Sequence, residues 1–283
     1  MTPKTALSAR RLRLGIELRK LRERAGISST DAGRMLGTNQ TQVSNIEAGR
    51  FGVSAERIRT MARNCGCDDD ALINALIDMA ANRQRGWWEE YRGILPSGLL
   101  DLAELEHHAK GLHAAATAHV PGLLQTAEHA REVFRQAVTP LSPPEVEHRV
   151  SFRIKRQAVI FREEPVPYRA IVHEAALRMK VGGVEIARKQ LEFLLEMSER
   201  EHVTVIAIPF DVGAYPGAGQ LVCYARGEVP ELDTVQLDQA HGPVLLDAED
   251  QLAKYRSLLD RMEAVALNEE DSRHLIYEIM RSL

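Results

Sequence analysis

The stretch GTNQTQVSNIEAGR, residues 37–50, decides how the first part of the chain folds. Gly37 interrupts one apolar pattern, and Asn39 stands where its side chain would cap a new helix. Uncharged polar residues fill the first turn of that helix, and no acid occurs before Glu47. The first turn normally favours acids, because its free N–H groups and the helix dipole attract negative charge. The missing acid indicates that negative charge reaches this helix from outside.

Composition is typical of a soluble globular protein with two domains, since 45% of the 283 residues are apolar and 27% are charged. No apolar run approaches the roughly 18 residues of a membrane span. The N-terminus lacks the continuous apolar stretch of a signal peptide. The three cysteines, Cys65, Cys67 and Cys223, are too few for a disulfide framework. We therefore expect a cytoplasmic protein that does not bind a membrane.

Charge is divided sharply along the chain. Residues 1–66 contain 13 Lys and Arg against 5 Asp and Glu, a balance of +8, whereas residues 67–283 contain 23 against 35, a balance of −12. Such asymmetry favours a polyanionic partner for the basic part. We expect Arg10, Arg11, Arg13 and Arg50 to supply its affinity for phosphate.

Helical periodicity and capping residues predict five short helices in the first part of the chain. The predicted spans are 10–25, 29–36, 40–48, 54–66 and 68–85. These helices form a domain over residues 1–82. A linker over residues 83–98 carries both tryptophans, Trp87 and Trp88, which are candidate anchors for domain docking or for an aromatic ligand cage.

Residues 99–283 predict a mixed α/β domain with a small sheet flanked by helices, so the fold class is α+β multidomain. Period-two alternation predicts strands over 168–173, 203–209, 220–225 and 234–240. Helical patterns cover 99–110, 126–137, 144–162, 185–200, 249–267 and 268–283. The Ala-rich segment 113–126 fits either a helix or a strand.

Two helices joined by a short Gly-containing turn can form a helix-turn-helix, whose second helix enters the major groove of double-stranded DNA. Helical geometry puts Gln40, Thr41, Ser44 and Asn45 on one side of that helix, with the apolar residues inward. Amide and hydroxyl side chains can hydrogen-bond to base edges, and the Thr methyl group can pack on that of thymine. The external negative charge is then DNA phosphate. Because one short helix reads few base pairs, we expect a homodimer on a palindromic or repeated site.

The segment LRKLRERAGISSTDAGRMLGTNQTQVSNIEAGR, residues 18–50, resembles the phage-repressor-like, or XRE-type, helix-turn-helix. The resemblance implies that Arg22 pairs with Glu47 and that Ser29 contacts a base or a phosphate. The Ala32-Gly33 pair departs from the family pattern, which has a larger apolar residue followed by Ala. We expect Gly33 to cost the second helix roughly 1 kcal/mol relative to Ala.

The rest of the chain resembles a domain of unknown function that follows this helix-turn-helix in many actinobacterial regulators. The segments that carry this resemblance are RGWWEEYRGILPSG (85–98), VPGLLQTAEHAR (120–131), HEAALRMKVGG (173–183) and VTVIAIPFDVGAYPG (203–217). It implies a repressor or an antitoxin-like regulator whose C-terminal domain binds a small acidic partner protein or mediates dimerisation. Apolar residues in loop-like segments are the candidate contacts, since loops on a rigid scaffold often carry them. They are Pro121, Leu123, Leu124, Phe210 and Tyr215, beside the two tryptophans.

Signs of an enzyme are weak. His173-Glu174 could act as acid and base, but no nucleophile motif or phosphate-binding loop accompanies it. His107, His108 and His113 are interpreted as solvated helix residues, and Cys65-x-Cys67 lacks two further metal ligands. We expect no catalysis, metal or cofactor. A regulator that senses a small-molecule effector and a DNA-tethered enzyme stay open as alternatives.

Overall fold

A computed structural model describes residues 7–81, 86–217, 219, 221–239 and 242–283. The chain divides into two compact units, one ending at Glu89 and the other spanning Glu90–Leu283. The domain limits that the sequence predicts, at residues 82 and 99, stay predictions. Residues 83–85 of the predicted linker lie outside the described residues, as do Gln220 and Ala240 of two predicted strands.

The described residues of the first unit are all-α, as predicted. Its helices are α1 (Ala9–Arg24), α2 (Ser29–Met35), α3 (Gln40–Glu47), α4 (Ala55–Asn64) and α5 (Asp70–Ala81). The first four begin at a polar residue whose side chain accepts a hydrogen bond from a backbone N–H three residues on, which satisfies one free donor of each helix. Gly37, with φ of +63°, ends α2 and turns the chain towards α3. Leu18, Ile58 and Leu76 are fully buried and form part of the core.

The second unit combines eight helices with one sheet among the described residues. The helices are α6 (Ser97–His108), α7 (Ala127–Arg135), α8 (Pro143–Arg156), α9 (Ala158–Phe161), α10 (Glu174–Arg178), α11 (Val184–Ser198), α12 (Glu249–Glu263) and α13 (Glu269–Arg281). The strands are β1 (Gly111–Ala116), β2 (Tyr168–His173), β3 (Val203–Ile208), β4 (Val222–Arg226), β5 (Thr234–Gln239) and β6 (Gly242–Leu246). Their order is β3-β2-β1-β4-β5-β6, with β1, β2 and β3 mutually parallel and the other pairs antiparallel.

Helices cover both faces of this sheet, so the predicted mixed α/β class is confirmed. On one face, Leu191 and Leu194 of α11 and Ile276 of α13 pack in a cluster with the buried side chains of β2 and β3. On the other, Leu259 and Met262 of α12 pack in a second cluster with residues of five strands. Burial on both sides explains why the parallel strands read as nearly continuous apolar runs.

Several elements, the unpredicted helix α10 among them, differ from the sequence predictions. Residues 111–116 form β1, so His113 lies on a strand and its interpretation as a solvated helix residue is wrong. The helix predicted over 144–162 breaks at Gln157, whose side chain donates from Nε2 to the carbonyl of Gln125 at 2.7 Å. Strand β6 was not predicted, and Pro243 is tolerated there because β6 lies at the edge of the sheet.

Candidate nucleic-acid interface

The turn between α2 and α3 fixes the start of the second helix. Asn39 Oδ1 accepts a hydrogen bond from the backbone N–H of Gln42 at 2.9 Å. The Thr38 hydroxyl donates to the side-chain oxygen of Gln42. The Gln42 amide is therefore held against the turn, whereas Gln40, two residues earlier, is exposed to solvent.

The outer side of α3 carries three of the predicted base-reading residues. Gln40, Thr41 and Ser44 are exposed, while Val43 and Ile46 point into the core with 1% and 5% of their surface accessible. The first turn contains no acid. This side of the helix therefore presents hydrogen-bonding groups without negative charge.

Asn45, Arg50 and Ser29 are placed differently from these three. Asn45 is half-buried, its backbone oxygen accepts from the Arg50 N–H at 2.8 Å, and its Oδ1 lies 3.4 Å from Arg50 Nη1. Arg50 itself is exposed. Ser29 is the first residue of α2 and is half-buried. Asn45 is therefore partly exposed to solvent and also contacts Arg50.

An ion pair joins α1 to the end of α3. Arg22 Nε donates to Glu47 Oε1 at 2.6 Å, Arg22 Nη2 donates to Glu47 Oε2 at 2.9 Å, and Arg22 Nη1 donates to the carbonyl of Ile27 at 2.8 Å. The two side chains are only 10% and 8% exposed. The hydrogen bond to Glu47 is the main reason that the Arg22 pKa is raised, so the guanidinium stays charged. Two hydrogen bonds between a guanidinium and a carboxylate fix the relative orientation of the two side chains as well as their distance.

Two glycines allow helices to meet at backbone distance. A Cβ on Gly15 of α1 would lie 2.2 Å from the carbonyl oxygen of Glu47, and one on Gly33 of α2 would lie 2.9 Å from the carbonyl carbon of Asn39. Gly33 therefore has a packing role beside the helix-propensity cost expected from the sequence, because an alanine methyl group at this position would meet the backbone at the start of α3. No sequence pattern alone marked Gly15.

The basic residues are not equally available to a phosphate. Arg11 and Arg50 are exposed, and Arg11 Nη2 lies 3.5 Å from the carbonyl of Arg50. Arg13 is 9% exposed and donates to Glu17 at 2.8 Å. The prediction that Arg13 contacts phosphate is therefore wrong, because a buried and paired guanidinium cannot reach DNA.

Most of the apolar loop candidates in the second unit are core residues. Leu123 and Leu124 are 2% and 0% exposed, and Pro121 is buried beside them. The prediction that these three form contact loops is corrected, since the turn they occupy packs inward against the sheet cluster. Trp88 is 4% exposed and Trp87 is half-buried, with their rings edge to face at 6.0 Å.

Phe210 and Tyr215 come together at the carboxyl ends of β2 and β3. The Tyr215 ring stacks on His173 at 5.0 Å, and Phe210, which is 51% exposed, meets His173 edge-on at 5.2 Å. Glu174 is buried and accepts hydrogen bonds from Arg178 Nε at 2.6 Å and the Phe210 N–H at 2.8 Å. Burial lowers the pKa of His173, which favours its neutral form. The sequence indicated one loop segment with Phe210 and Tyr215 and a separate His173-Glu174 pair, but it did not place the loop beside the pair.

Within the described parts of the chain, no three His, Cys, Asp or Glu side chains gather closely enough to hold a metal ion. In the same parts, no helix combines the length and apolar character that crossing a bilayer requires.

An exposed, acid-free face on the second of two short helices, within a basic all-α unit, defines the helix-turn-helix class of DNA-binding regulators. Comparison with known families agrees, because residues 13–76 match a family described as "Helix-turn-helix domain". Residues 99–278 match the family described as "Domain of unknown function (DUF5753)", and the chain belongs to that family. The two resemblances drawn from the sequence are confirmed at this level. No curated protein and no solved structure was found to match the chain.

Proposed function

We propose that the chain is a cytoplasmic, sequence-specific regulator of transcription of the XRE type, as in actinobacterial regulators, and that it acts as a repressor or an antitoxin-like protein. It binds double-stranded DNA as a homodimer, and its C-terminal domain binds a small acidic partner protein. The observation that carries the proposal is the exposed, acid-free side of α3 formed by Gln40, Thr41 and Ser44.

The chemistry of this side suits base edges in the major groove. Gln can form two hydrogen bonds with adenine, and Ser and Thr can bond to several base edges. The opposite side of α3 is occupied by Val43, Ile46 and Glu47, which hold it to the rest of the unit. The reading side is thus presented on a helix whose orientation is set by buried contacts.

Phosphate affinity comes from exposed basic residues that flank this helix, Arg11 and Arg50 among them. Such contacts release counterions, so binding weakens steeply as salt concentration rises. They position the protein on any DNA, whereas the side chains of α3 discriminate between sequences.

A homodimer follows from the length of α3. Eight residues extend roughly 12 Å at 1.5 Å per residue, which spans about three or four base pairs at 3.4 Å each. That is too little sequence to specify one site in a genome. Two copies on a palindromic site double the length that is read.

The second unit supports partner binding through Phe210, which is half exposed at the carboxyl ends of two strands with Tyr215 and His173 beside it. Exposed aromatic side chains are typical anchors of protein interfaces. The proposal assigns no catalysis to this unit, in which both oxygens of Glu174 and Nδ1 of His173 are engaged in hydrogen bonds.

The DNA-binding proposal is tested by capturing genomic fragments on the purified chain at two salt concentrations and sequencing them. We expect a few sites to stay enriched at the higher salt. On such a site, Gln40→Ala should weaken binding by roughly 1–3 kcal/mol, or about 5- to 150-fold, while binding to random DNA is unchanged. The matched control is Asn64→Ala, which removes an exposed amide from α4. Equal loss on specific and random DNA would contradict base reading by Gln40.

The partner proposal is tested separately by co-expressing the chain with any small acidic protein that is encoded next to its gene. Co-purification should be lost in Phe210→Ala and retained in Val138→Ala, which truncates another apolar side chain, 95% exposed. Retention by both variants would refute the role of Phe210, and absence of any complex would refute the partner.

A further inference from the structure

One face of the sheet in the second unit carries an unexpected row of polar side chains. The strand register places His113 of β1 opposite Arg169 of β2 and Tyr224 of β4, and Arg169 opposite Thr204 of β3. Directly paired residues point to the same face of a sheet. These four side chains therefore lie side by side across four adjacent strands.

The same face is apolar in the neighbouring row, two residues away along each strand. The next row consists of Ala115, Ile171, Ile206 and Val222, which belong to the buried cluster under α12. The side of the sheet that packs on α12 thus changes from apolar to polar within a single pleat. A polar row beside a buried core needs hydrogen-bond partners, because unpaired polar groups are costly there.

A cleft of about 460 Å³ opens over the polar row, between the strands and α12. Arg256, Asp260 and Glu263 line it from the helix, and Arg226 lines it from the end of β4. This volume falls within the range of small-molecule sites, roughly 300–1,000 Å³. The proposed DNA contacts all belong to the first unit, so none of them lines the cleft.

Part of the charge in the cleft is neutralised internally. Arg169 forms an ion pair with Glu263. Arg256 Nη1 donates to the Tyr224 hydroxyl at 2.9 Å, and that hydroxyl donates to Asp233 Oδ2 at 2.7 Å. These five side chains are therefore already paired with one another.

Three charged groups are left over. Arg226, Asp260 and Glu201 are exposed and line the cleft, and within the described chain their guanidinium and carboxylate groups have no hydrogen-bond or ion-pair partner, so they are available to a ligand. The Arg226 side chain lies directly over Gly111, where a Cβ would come within 2.2 Å of its Nη2. The missing side chain at Gly111 therefore lets this guanidinium lie across β1.

His113 adds an unpaired group at the centre of the row. Its Nε2 is buried and, in the part of the chain that the structure describes, has no hydrogen-bond partner. Burial lowers the pKa of His113 to about 4, with Arg169 and Arg226 acting in the same direction and Asp260 against them. The ring is therefore neutral near pH 7 and can either donate or accept one hydrogen bond there.

We propose that this cleft binds a small zwitterion of the α-amino acid type. Arg226 holds the carboxylate and Asp260 holds the ammonium group, while the ring of His113 lines the cleft. A second positive charge on the ligand would meet Glu201, so basic amino acids such as lysine and arginine bind best. Such a ligand carries one negative and two positive charges, which match the one guanidinium and the two carboxylates of Arg226, Asp260 and Glu201.

The test is isothermal titration of the full-length chain, without DNA, with each of the twenty L-amino acids. We expect binding by L-lysine or L-arginine, and weakening by roughly 10- to 150-fold in both Arg226→Gln and Asp260→Asn, as for loss of a charge-assisted hydrogen bond. The matched control, Arg261→Gln, changes an exposed arginine of α12 that does not line the cleft and should bind normally. Gly111→Ala keeps every charge but displaces Arg226, and it should weaken binding as well.

Two further ligands make the assignment decisive. Agmatine lacks the carboxylate of arginine, and N-acetyl-L-arginine lacks its free α-ammonium group, so both should bind weakly. Equal binding of either one would overturn the zwitterion assignment, and absence of binding by all twenty amino acids would overturn the site. Since no DNA is present, neither result depends on the proposed regulatory function.

Discussion

Gly15→Ala is the substitution that tests most directly how the second helix of the motif is held. A methyl group on Gly15 would lie 2.2 Å from the Glu47 carbonyl oxygen, 2.7 Å from its carbonyl carbon and 2.9 Å from the carbonyl oxygen of Ile46. All three atoms belong to the backbone of α3 or its last turn. No side-chain rotation can relieve the collision, so α1 and α3 must separate.

The size of the effect follows from the distances. An ordinary contact begins at 3.4 Å, so the helices must part by about 1.2 Å from the present 2.2 Å. The same movement would stretch the Arg22–Glu47 hydrogen bonds, now 2.6 and 2.9 Å, to about 4 Å. Overpacking costs roughly 1–3 kcal/mol and loss of charge-assisted hydrogen bonds roughly 1.5–3 kcal/mol. Alanine returns about 1 kcal/mol through helix propensity, which leaves a net loss of roughly 1.5–5 kcal/mol.

Hydrogen exchange of the α1 and α3 amides in the full-length chain measures this loss locally. A loss of roughly 2 kcal/mol speeds exchange about 30-fold in amides that exchange by opening of this unit. Gly26→Ala is the control, because a Cβ there meets nothing within 4 Å and only its φ of +68° is unfavourable, at about 1–2 kcal/mol. If Gly15→Ala exchanged as slowly as the wild type, the backbone contact between α1 and α3 would be disproved.

Three other predictions concern stability. Arg22→Met should lower the free energy of unfolding by roughly 3–5 kcal/mol, because it leaves a buried carboxylate without its partner, and adding Glu47→Leu should reduce this loss. Urea denaturation that finds the double variant less stable than Arg22→Met would contradict the prediction. Gly33→Ala should lower the melting temperature of the first unit because its methyl group meets the Asn39 backbone at 2.9 Å, and an increase would mean that helix propensity dominates. Burial lowers the pKa of His129 to about 4 from an ordinary 6.5, so the unfolded chain binds the proton more readily and stability should fall as pH drops from about 6.5 to about 4. Urea midpoints against pH should flatten in His129→Phe, and an unchanged slope would show that His129 is not the group responsible.

The helices of the first unit could be predicted because their signals are local. Ser28, Asn39 and Ser54 each cap a helix through a side chain that stands one residue before it. These signals need no knowledge of the rest of the fold. The helix-turn-helix and its exposed residues on α3 could be predicted from the sequence for the same reason.

Strands β1 and β6 were harder because their neighbours decide them. The β1 sequence GLHAAA favours helix by composition, yet it becomes a strand between β2 and β4, which lie far away in the chain. Burial of Arg13 and of Leu123 depends on packing in the same way. The polar row around His113 depends on strand register, which alternation in a single strand does not specify.

The division of labour within α3 has a consequence for retargeting. Val43, Ile46 and Glu47 connect the helix to its scaffold, and Gln40, Thr41 and Ser44 do not take part in that connection. The outer three positions can therefore be randomised as a library without endangering the fold. Variants that prefer new operator sequences could be selected from such a library, while the rest of the first unit stays unchanged.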